Sequence, residues 1–283
     1  MKLWPIEELP KLPKLNLAVV GHVEWMTFLS VEKFPKAGEI SHGDIYLEQP
    51  AGGGAVTAAN IASVTGSNVH FFTALGRDST GKKSFDHLQR LNLNPFVAWH
   101  ENPTRRGISM VDSKGERAIT VIGDRLQPSG KDRLPWKELS GFDGVFITAT
   151  DIVGLKHCRK ASLIVASPRL GIKTIQESKI QLDALIGSAL DPDENVNSSD
   201  IKPIPKLRVA TEGALGGQAW PGGRFSSVKL PRNVIDTYGC GDSFAAGVTI
   251  GLAAGWSNEQ AISLGAHCGA DCALHLGPFK SLN

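Results

Sequence analysis

The sequence lacks long apolar runs, a large excess of one charge and a signal-like N-terminus. No run approaches the roughly 18 consecutive apolar residues of a membrane span, so we expect no transmembrane helix. A formal net charge of +2 gives no reason to expect nucleic acid or an acidic membrane as a partner. Residues 1–8 are acidic and broken by proline, which does not fit a signal peptide. We therefore expect a soluble, cytoplasmic protein.

The sequence also lacks any pair of cysteines at the CxxC spacing of redox and metal motifs. Its four cysteines are Cys158, Cys240, Cys268 and Cys272. Cys268 and Cys272 lie one helical turn apart in a late apolar segment. We expect buried free thiols rather than a metal site there.

Alternating strand and helix patterns dominate the chain. A chain of 283 residues can bury one large core. Strands that alternate with helices predict a mostly parallel central sheet with helices on both faces, an α/β fold. Between 95 and 122 the pattern changes to short strands with a hairpin signal at 112–116, which suits a small projecting sheet. The predicted strands are 16–21, 69–75, 107–111, 117–121, 144–149, 162–166 and 207–211; the predicted helices are 56–64, 79–91, 152–160, 243–254 and about 258–274; a loop is predicted at 190–205 and a hairpin at 216–229.

Residues 236–242 read Asp-Thr-Tyr-Gly-Cys-Gly-Asp and precede a helical pattern that begins at Ser243. Two glycines allow the N–H groups of this turn to converge at a helix N-terminus, where the macrodipole favours an anion such as a phosphoryl group. Asp242 could then take the proton of an attacking hydroxyl. It could equally be a simple helix cap, and the stretch alone does not decide between the two.

A second glycine run, residues 51–55, enters the small-residue helix predicted at 56–64. Such a run lets a ligand approach the backbone, although tight helix–sheet packing would explain it as well. Ligands of doubly wound folds bind beyond the carboxyl ends of the strands. We therefore expect both glycine-rich helix starts to face one crevice.

Residues 76–83 have the spacing of a Walker A loop and lie between a predicted strand and a predicted helix. The eighth position is Lys83, where that loop needs a Ser or Thr hydroxyl for its metal ion. We reject a P-loop for this reason.

Taken in order, these motifs resemble those of the ribokinase-like, pfkB-type carbohydrate kinases. Residues 236–242 are similar to that family's DTxGAGD signature, and 52–55 with the following Gly66 and Gly76 to its N-terminal signature. Residues 76–81 match its GxDxxG segment, and 34–39 resemble its FPxxGE turn. The resemblance implies one α/β domain over 1–283, with a small β-sheet lid formed by about 26–50 and 95–122.

The resemblance implies transfer of the γ-phosphoryl group of ATP, with Mg²⁺, to a hydroxyl of a sugar or nucleoside. Asp242 would be the catalytic base, and the N–H groups of Gly239, Cys240 and Gly241 the anion hole. Many relatives need a monovalent cation such as K⁺, on which Asp236 would report. The implied nucleotide contacts are Thr211 and Gly213 near the phosphates, Gly216 near the ribose, Gly241 in the anion hole, and His267 and Ala270 at the adenine.

The chain departs from the family pattern mainly on the acceptor side. Thr57 stands where an Asn commonly contacts the sugar, and Met26 where the usual sugar-binding Asp is expected. The metal-linked NxxE pattern has its nearest match at 188–191, which makes Asp191 a weak candidate ligand. Cys240 replaces the usual Ala, a change that keeps the backbone donor. The phosphoryl-transfer half of the site is therefore intact in sequence, and the sugar half is altered.

Candidate acceptor contacts cluster around the first strand and the glycine run. Arg105 and its neighbour Arg106 could bind an anionic group or simply form a solvated surface pair. Trp25 could pack in the fold or stack on a substrate. The candidates are His22, Glu24, Trp25, Gly52, Gly53, Gly54, Thr57 and Arg105.

Three functions are consistent with this reading. The first is an ATP-dependent kinase of a sugar-like small molecule, a phosphotransferase with an alcohol acceptor. The second is a nucleoside kinase of the same fold, and the third is a catalytically weak nucleotide- or metabolite-binding protein. An intact Asp242 argues against the third, because a pure binder needs no base in an anion cradle. The family resemblance also implies a possible homodimer through the lid.

Overall fold

A computed structural model describes residues 1–113, 115–196 and 200–279. Within these ranges the strands form two sheets, a large one of nine strands and a small one of four. The large sheet has the order β13-β12-β11-β10-β9-β8-β1-β4-β5, and the small one the order β3-β2-β6-β7. The strands are β1 (Leu17–Val20), β2 (Glu24–Val31), β3 (Gly43–Ala51), β4 (Val69–Gly76), β5 (Leu93–His100), β6 (Arg106–Val111), β7 (Arg117–Ile122), β8 (Gly144–Ile147), β9 (Leu163–Ala166), β10 (Ala184–Ser188), β11 (Leu207–Thr211), β12 (Gly217–Trp220) and β13 (Gly223–Phe225).

The large sheet is parallel from β5 to β11, and its strands are apolar on both faces. Along β1, Val19 joins one apolar cluster while Ala18 and Val20 join another, so successive side chains feed opposite sides of the sheet. Helices cover both sides, as predicted for a doubly wound α/β fold. The helices are α1 (Gly53–Thr65), α2 (Ser79–Arg90), α3 (Ile152–Cys158), α4 (Ile172–Ser178), α5 (Cys240–Ala253) and α6 (Asn258–Cys272).

The small sheet, called the lid below, packs over the start of α1. On its inner face Met26, Phe28 and Ala51 form a buried cluster with Val56 of α1 and Tyr238. Residues 95–100 were expected in the lid, but β5 instead pairs with β4 in parallel at the edge of the large sheet. Its position is set by α2, which returns the chain beside β4 as in any right-handed crossover.

Other differences from the predicted elements are local. α1 begins at Gly53 rather than Val56, and α5 at Cys240 rather than Ser243, so each helix begins within its glycine turn, with Gly52 and Gly239 as the N-caps. The strand β10 and the helix α4 were not predicted from the sequence. Residues 197–199 of the predicted 190–205 loop lie outside the described ranges. No helix in the described part of the chain is long and apolar enough to cross a membrane.

Glycines set the close crossing of α5 and α6. A Cβ at Gly247 would lie 2.7 Å from both Cα and N of Gly265, which are backbone atoms that cannot rotate away. The helices can therefore touch only because both positions lack a side chain.

We expect Gly247→Val to push α5 and α6 apart and to lower the free energy of unfolding by about 1–3 kcal/mol, the usual range for overpacking. Urea unfolding followed by circular dichroism measures the change. Gly141→Val is the matched control, because a Cβ at Gly141 meets no atom within 4 Å. Equal stability of the two variants would contradict this packing.

Candidate active site

The start of α5 forms an open turn of backbone donors. Gly239 has a φ of 79°, and a Cβ there would lie 2.7 Å from Pro278 Cβ, so only glycine fits. Within the described residues no acceptor is bound to the N–H of Gly239 or Gly241, and that of Cys240 makes only a 3.4 Å bond to Thr237 O. A Cβ at Gly241 would meet nothing within 4 Å, so the turn faces open space. This is the geometry of an anion cradle.

Asp236 holds this turn in place from beneath. It is fully buried, and its Oδ1 and Oδ2 accept the N–H groups of Tyr238 at 2.9 Å and Gly277 at 3.0 Å. Both carboxylate oxygens of Asp236 therefore accept hydrogen bonds from the backbone, which leaves the side chain poorly placed to bind a cation. The hydroxyl of Tyr238 in turn accepts the N–H of Gly52 at 3.2 Å, which ties the second glycine turn to the first.

Asp242 lies where the two glycine-rich helix starts meet. A Cβ at Gly53 would lie 3.0 Å from Asp242 Oδ1, so the bare backbone of α1 borders the carboxylate. The buried hydroxyl of Thr57 donates to Asp242 O over 3.4 Å, which directs Thr57 to the protein backbone. The carboxylate itself is half-buried in the crevice between α1 and α5.

The surroundings of Asp242 suit a base. Removal from water in the crevice raises its pKa to about 6, and Arg169 acts in the opposite direction. Glu194 and Glu24 raise the pKa further, whereas Arg117 lowers it. The carboxylate is therefore mostly ionised at pH 7 yet more basic than an ordinary Asp, which is the range useful for general base catalysis.

Arg169 and Glu194 are functional candidates that sequence reasoning missed. Arg169 follows β9 and Glu194 follows β10, and the two form an ion pair while Asp191 lies 3.7 Å from Arg169. Burial disfavours the charge of Arg169, but Asp242 and then Glu194 outweigh it and raise the Arg169 pKa above its ordinary value. Their only sequence signal was a position just after parallel strands, where ligands of such folds bind.

His22, Glu24 and Arg105 form a second polar group beside Gly52. A Cβ at Gly52 would lie 3.1 Å from the His22 ring and 3.2 Å from Glu24 Cγ. Glu24 forms an ion pair with Arg105 at 3.3 Å and lies 3.8 Å from His22 Nε2. Burial raises the pKa of Glu24 despite Arg105. Gly54 is the closest approach of α1 to this group, since a Cβ there would be 2.7 Å from His22 O.

Burial, followed by the charges of three nearby arginines, holds the pKa of His22 well below its ordinary value, so its ring is neutral. Its Nδ1 lies 3.4 Å from the hydroxyl of Thr148, a residue just beyond β8 that sequence reasoning also missed. The ring is 3% exposed and lines the crevice from within.

Trp25 and Met26 are not brought to this group. The side chain of Trp25 lies on the opposite face of β2 from Glu24, and its ring centroid is 6.1 Å from that of His87 on α2. Met26 shares the face of Glu24 but is fully buried, and a Cβ at Gly107 would lie 2.4 Å from its sulfur. The expected sugar-binding position is thus occupied by lid packing.

The predicted nucleotide loop follows β11 at the same edge of the large sheet. Thr211 ends β11 and its hydroxyl donates to Gly187 O at 3.3 Å. Gly213 is exposed with a φ of 58°. Gly216 has a φ of 89°, and a Cβ there would lie 2.1 Å from Phe225 O. The loop therefore needs glycine for its own folding, whether or not it binds a ligand.

The residues expected at the adenine lie on α6. His267 Nε2 lies 3.0 Å from Trp4 O, so its ring is engaged with the N-terminal segment. Ala270 is half-buried one turn further along. The same part of α6 abuts the start of α5, since a Cβ at Gly269 would lie 3.1 Å from Cys240 O. Cys240 is half-buried and free.

The described residues contain no group of three or more His, Cys, Asp or Glu side chains arranged to hold a metal ion. The nearest carboxylates to Arg169 are those of Asp191 and Glu194. The N–H of Ser188 donates to Glu194 over 3.0 Å, and Asp191 Oδ1 accepts the N–H of Asp193 at 3.0 Å.

Comparison with known proteins places this chain in a family. The profile described as pfkB family carbohydrate kinase matches residues 14–167 and 178–282. A ribokinase of Arabidopsis thaliana is 23% identical over 303 residues, covering 94% of this chain and 78% of that protein. A ribokinase of Dictyostelium discoideum is 36% identical over 110 residues, 38% of this chain and only 34% of that relative.

Among solved structures, Arabidopsis thaliana ribokinase complexed with ribose and ATP superposes with a TM-score of 0.70 at 18% identity, covering 94% of both chains. This likeness shows the fold. The chain belongs to the pfkB family of carbohydrate kinases, which are phosphotransferases.

We expect kcat/KM to fall about tenfold per pH unit below pH 6, since Asp242 must be unprotonated to act as a base and its pKa is about 6. A pH–rate profile measures this limb. Glu194→Gln should move it to lower pH, because Glu194 raises the pKa of Asp242. Glu177→Gln on the surface of α4 is the control and should leave the limb in place. A limb unmoved by Glu194→Gln would contradict the assignment to Asp242.

Proposed function

We propose that the protein transfers the γ-phosphoryl group of ATP to a hydroxyl of a sugar or sugar-like small molecule. The observation that carries this proposal is the position of Asp242: a half-buried carboxylate next to free backbone donors at the start of one helix and against the bare backbone of another. A helix cap needs neither the open cradle nor the second glycine turn. Both are needed if an acceptor hydroxyl and a phosphoryl group meet at this point.

In this mechanism the acceptor hydroxyl lies beside Gly53 and donates its proton to Asp242 as its oxygen attacks the γ-phosphorus in line. The bond from that phosphorus to the oxygen it shares with the β-phosphate breaks, and ADP leaves. The N–H groups of Gly239, Cys240 and Gly241 stabilise the charge that develops on the transferred group. Phosphoryl transfer depends mainly on positioning and charge stabilisation, and one well-aimed donor of this kind contributes on the order of 10²–10³ in rate. Arg169 holds Asp242 in its ionised form and adds a positive charge to the crevice.

Thr211, Gly213 and Gly216 would contact the nucleotide, since their loop and the start of α5 lie at the same edge of the large sheet. His267 and Ala270 remain candidates for the adenine end. In the described structure His267 contacts the backbone oxygen of Trp4. For His267 to contact the adenine, the N-terminal segment would have to move away.

Bound Mg²⁺ would supply neutralisation of the phosphate charges. Mg²⁺ prefers oxygen ligands and is usually held by one or two carboxylates together with substrate phosphates. Asp191 and Glu194 are the carboxylates that would hold it, and their oxygens would then have to exchange Arg169 and the N–H groups of Ser188 and Asp193 for the ion. Asp236 fits a cation site poorly, because both of its oxygens accept backbone N–H groups.

We expect Asp242→Asn to lower kcat by on the order of 10²–10⁴, the usual contribution of a general base, while ATP affinity changes little. A coupled assay of ADP release with a panel of sugars and nucleosides measures kcat, and fluorescent-nucleotide binding measures affinity. Full activity of Asp242→Asn would make Asp242 a helix cap. Nucleotide binding without turnover of any acceptor in the wild-type protein would favour a binding protein instead, and turnover of nucleosides alone a nucleoside kinase.

We also propose that the lid mediates a homodimer. Strand register places Ile119 opposite Ser109 and Val121 opposite Gly107, on the same face of the lid as Phe28. Ile119 and Val121 are 43% and 44% exposed, so the inner face of the lid extends beyond the body that covers its other half. A second copy that buries this apolar strip would remove it from water.

We expect Ile119→Asp to shift the protein towards monomer, since a charge on the apolar face opposes its burial. Light scattering after size-exclusion chromatography at several protein concentrations measures the mass. Thr120→Asp is the matched control, as the neighbouring residue on the opposite face of β7. A wild-type monomer at all concentrations would contradict the dimer.

A further inference from the structure

Three arginines approach the crevice, and their partners differ. Arg169 is matched by Glu194 and Asp191. Arg105 is matched by Glu24 at 3.3 Å, yet its Nε is buried without a hydrogen-bond partner among the described residues. These two arginines have their charge balanced by the protein, although Arg105 keeps an unused donor.

Arg125 is the unbalanced member of the group. It follows β7, and its Nη1 donates to the backbone carbonyl of Arg169 over 3.1 Å. Within the described ranges no carboxylate forms an ion pair with it. Partial desolvation, followed by repulsion from Arg105, lowers the pKa of Arg125, and the weaker attraction of Glu24 offsets only part of this. Arg125 is exposed, so it lies at the rim of the crevice, and an anion bound beside it and Arg105 would relieve the repulsion between these cations.

Two successive residues, Gly52 and Gly53, lie between the arginine group and Asp242. Glu24, the partner of Arg105, contacts the Cβ position of Gly52, and Asp242 contacts that of Gly53. The two Cβ positions lie 3.2 Å from Glu24 Cγ and 3.0 Å from Asp242 Oδ1, and consecutive Cα atoms are only ~3.8 Å apart, so these two carboxylate side chains approach within about 13 Å. Arg105 is paired with Glu24 and Arg125 acts on the charge of the same carboxylate, so an acceptor whose hydroxyl lies at Asp242 has both arginines on the Glu24 side of the crevice.

We propose that the acceptor carries an anionic group, a phosphate or a carboxylate, and that Arg125 and Arg105 bind it. Guanidinium groups present paired N–H donors that match the oxygens of both anions. The inference deepens the proposed function and rests on it, since it names the class of acceptor for the same site. A merely solvated surface position for Arg125 is the competing explanation.

Arg106 offers a matched control next to Arg105 in the chain. In register it pairs with Trp25, on the outer face of the lid. There it lines a separate cavity of about 220 Å³ together with Lys83 and Glu48. The predicted Arg105–Arg106 pair is thus divided between two faces, and only Arg105 points into the crevice.

The test compares wild type, Arg125→Gln, Arg125→Lys and Arg106→Gln on pentose and hexose phosphates, on sugar acids and on the matching neutral sugars. We expect wild-type kcat/KM to be higher for one anionic class than for the neutral sugars. Arg125→Gln should lower the ratio of anionic to neutral kcat/KM by about 10–100-fold, mostly through KM, the range for a hydrogen-bonded charge. Arg125→Lys should recover part of the ratio, and Arg106→Gln should leave it unchanged.

Whether wild type prefers sugar phosphates or sugar acids shows which anionic group the acceptor carries. Wild-type preference for neutral sugars, or equal losses on both classes in Arg125→Gln, would overturn the inference while leaving the kinase in place. Calorimetric titration with the same sugar phosphates and sugar acids in the absence of ATP tests binding without turnover. If no acceptor is phosphorylated, binding lost in Arg125→Gln still supports the anion site, and no binding to wild type rejects it. Thermal denaturation checks that each variant is folded.

Discussion

The structure depends on two helices starting at almost the same point. The first turn of α1 and the first turn of α5 approach so closely that a single Cβ at Gly53 would crowd the carboxylate of Asp242. Asp236 and Tyr238 fix this approach by bonding to backbone donors on either side. The positive ends of two helix dipoles therefore point into one crevice, and the carboxylates and arginines around the crevice change its electrostatic potential.

The turn proposed for phosphoryl transfer could be located from the sequence because its parts are contiguous. Residues 236–242 contain the turn, the clamp and the carboxylate proposed as the base, and glycine geometry and helix polarity are enough to predict an anion cradle there. The parallel sheet and the meeting of the two glycine turns could be predicted as well, since strand–helix alternation fixes which ends share an edge. The exact starts of α1 and α5 could not, because glycine gives no helix signal of its own.

The acceptor half could be predicted only in part, because it is assembled from distant segments. His22, Glu24 and Arg105 were candidates by position. Beside Asp242, Arg169 and Glu194 could not be predicted, because they are ordinary charges in sequence and meet only in the folded chain. Trp25 and Glu24 are neighbours on β2, so their side chains point to opposite faces of the lid. Which face borders the crevice could not be predicted, because the pairing of β2 was not predicted. Met26 departs from the family pattern because its sulfur packs against Gly107, which has no side chain. This contact could not be predicted without knowing how the lid strands pair.

The division of charge between the lid and the body has a consequence for how this protein can be altered. Glu24, Arg105 and Arg125 lie on or directly beside lid strands. Arg169 and Glu194 instead follow strands of the large sheet, and Asp242 lies in the first turn of α5. The groups proposed to choose the acceptor are therefore carried by one small antiparallel module and its flanks. Replacing this module with the corresponding module of a relative would change the acceptor preference and leave the proposed catalytic centre unchanged. Acceptor selectivity and phosphoryl-transfer chemistry could then evolve separately in this fold.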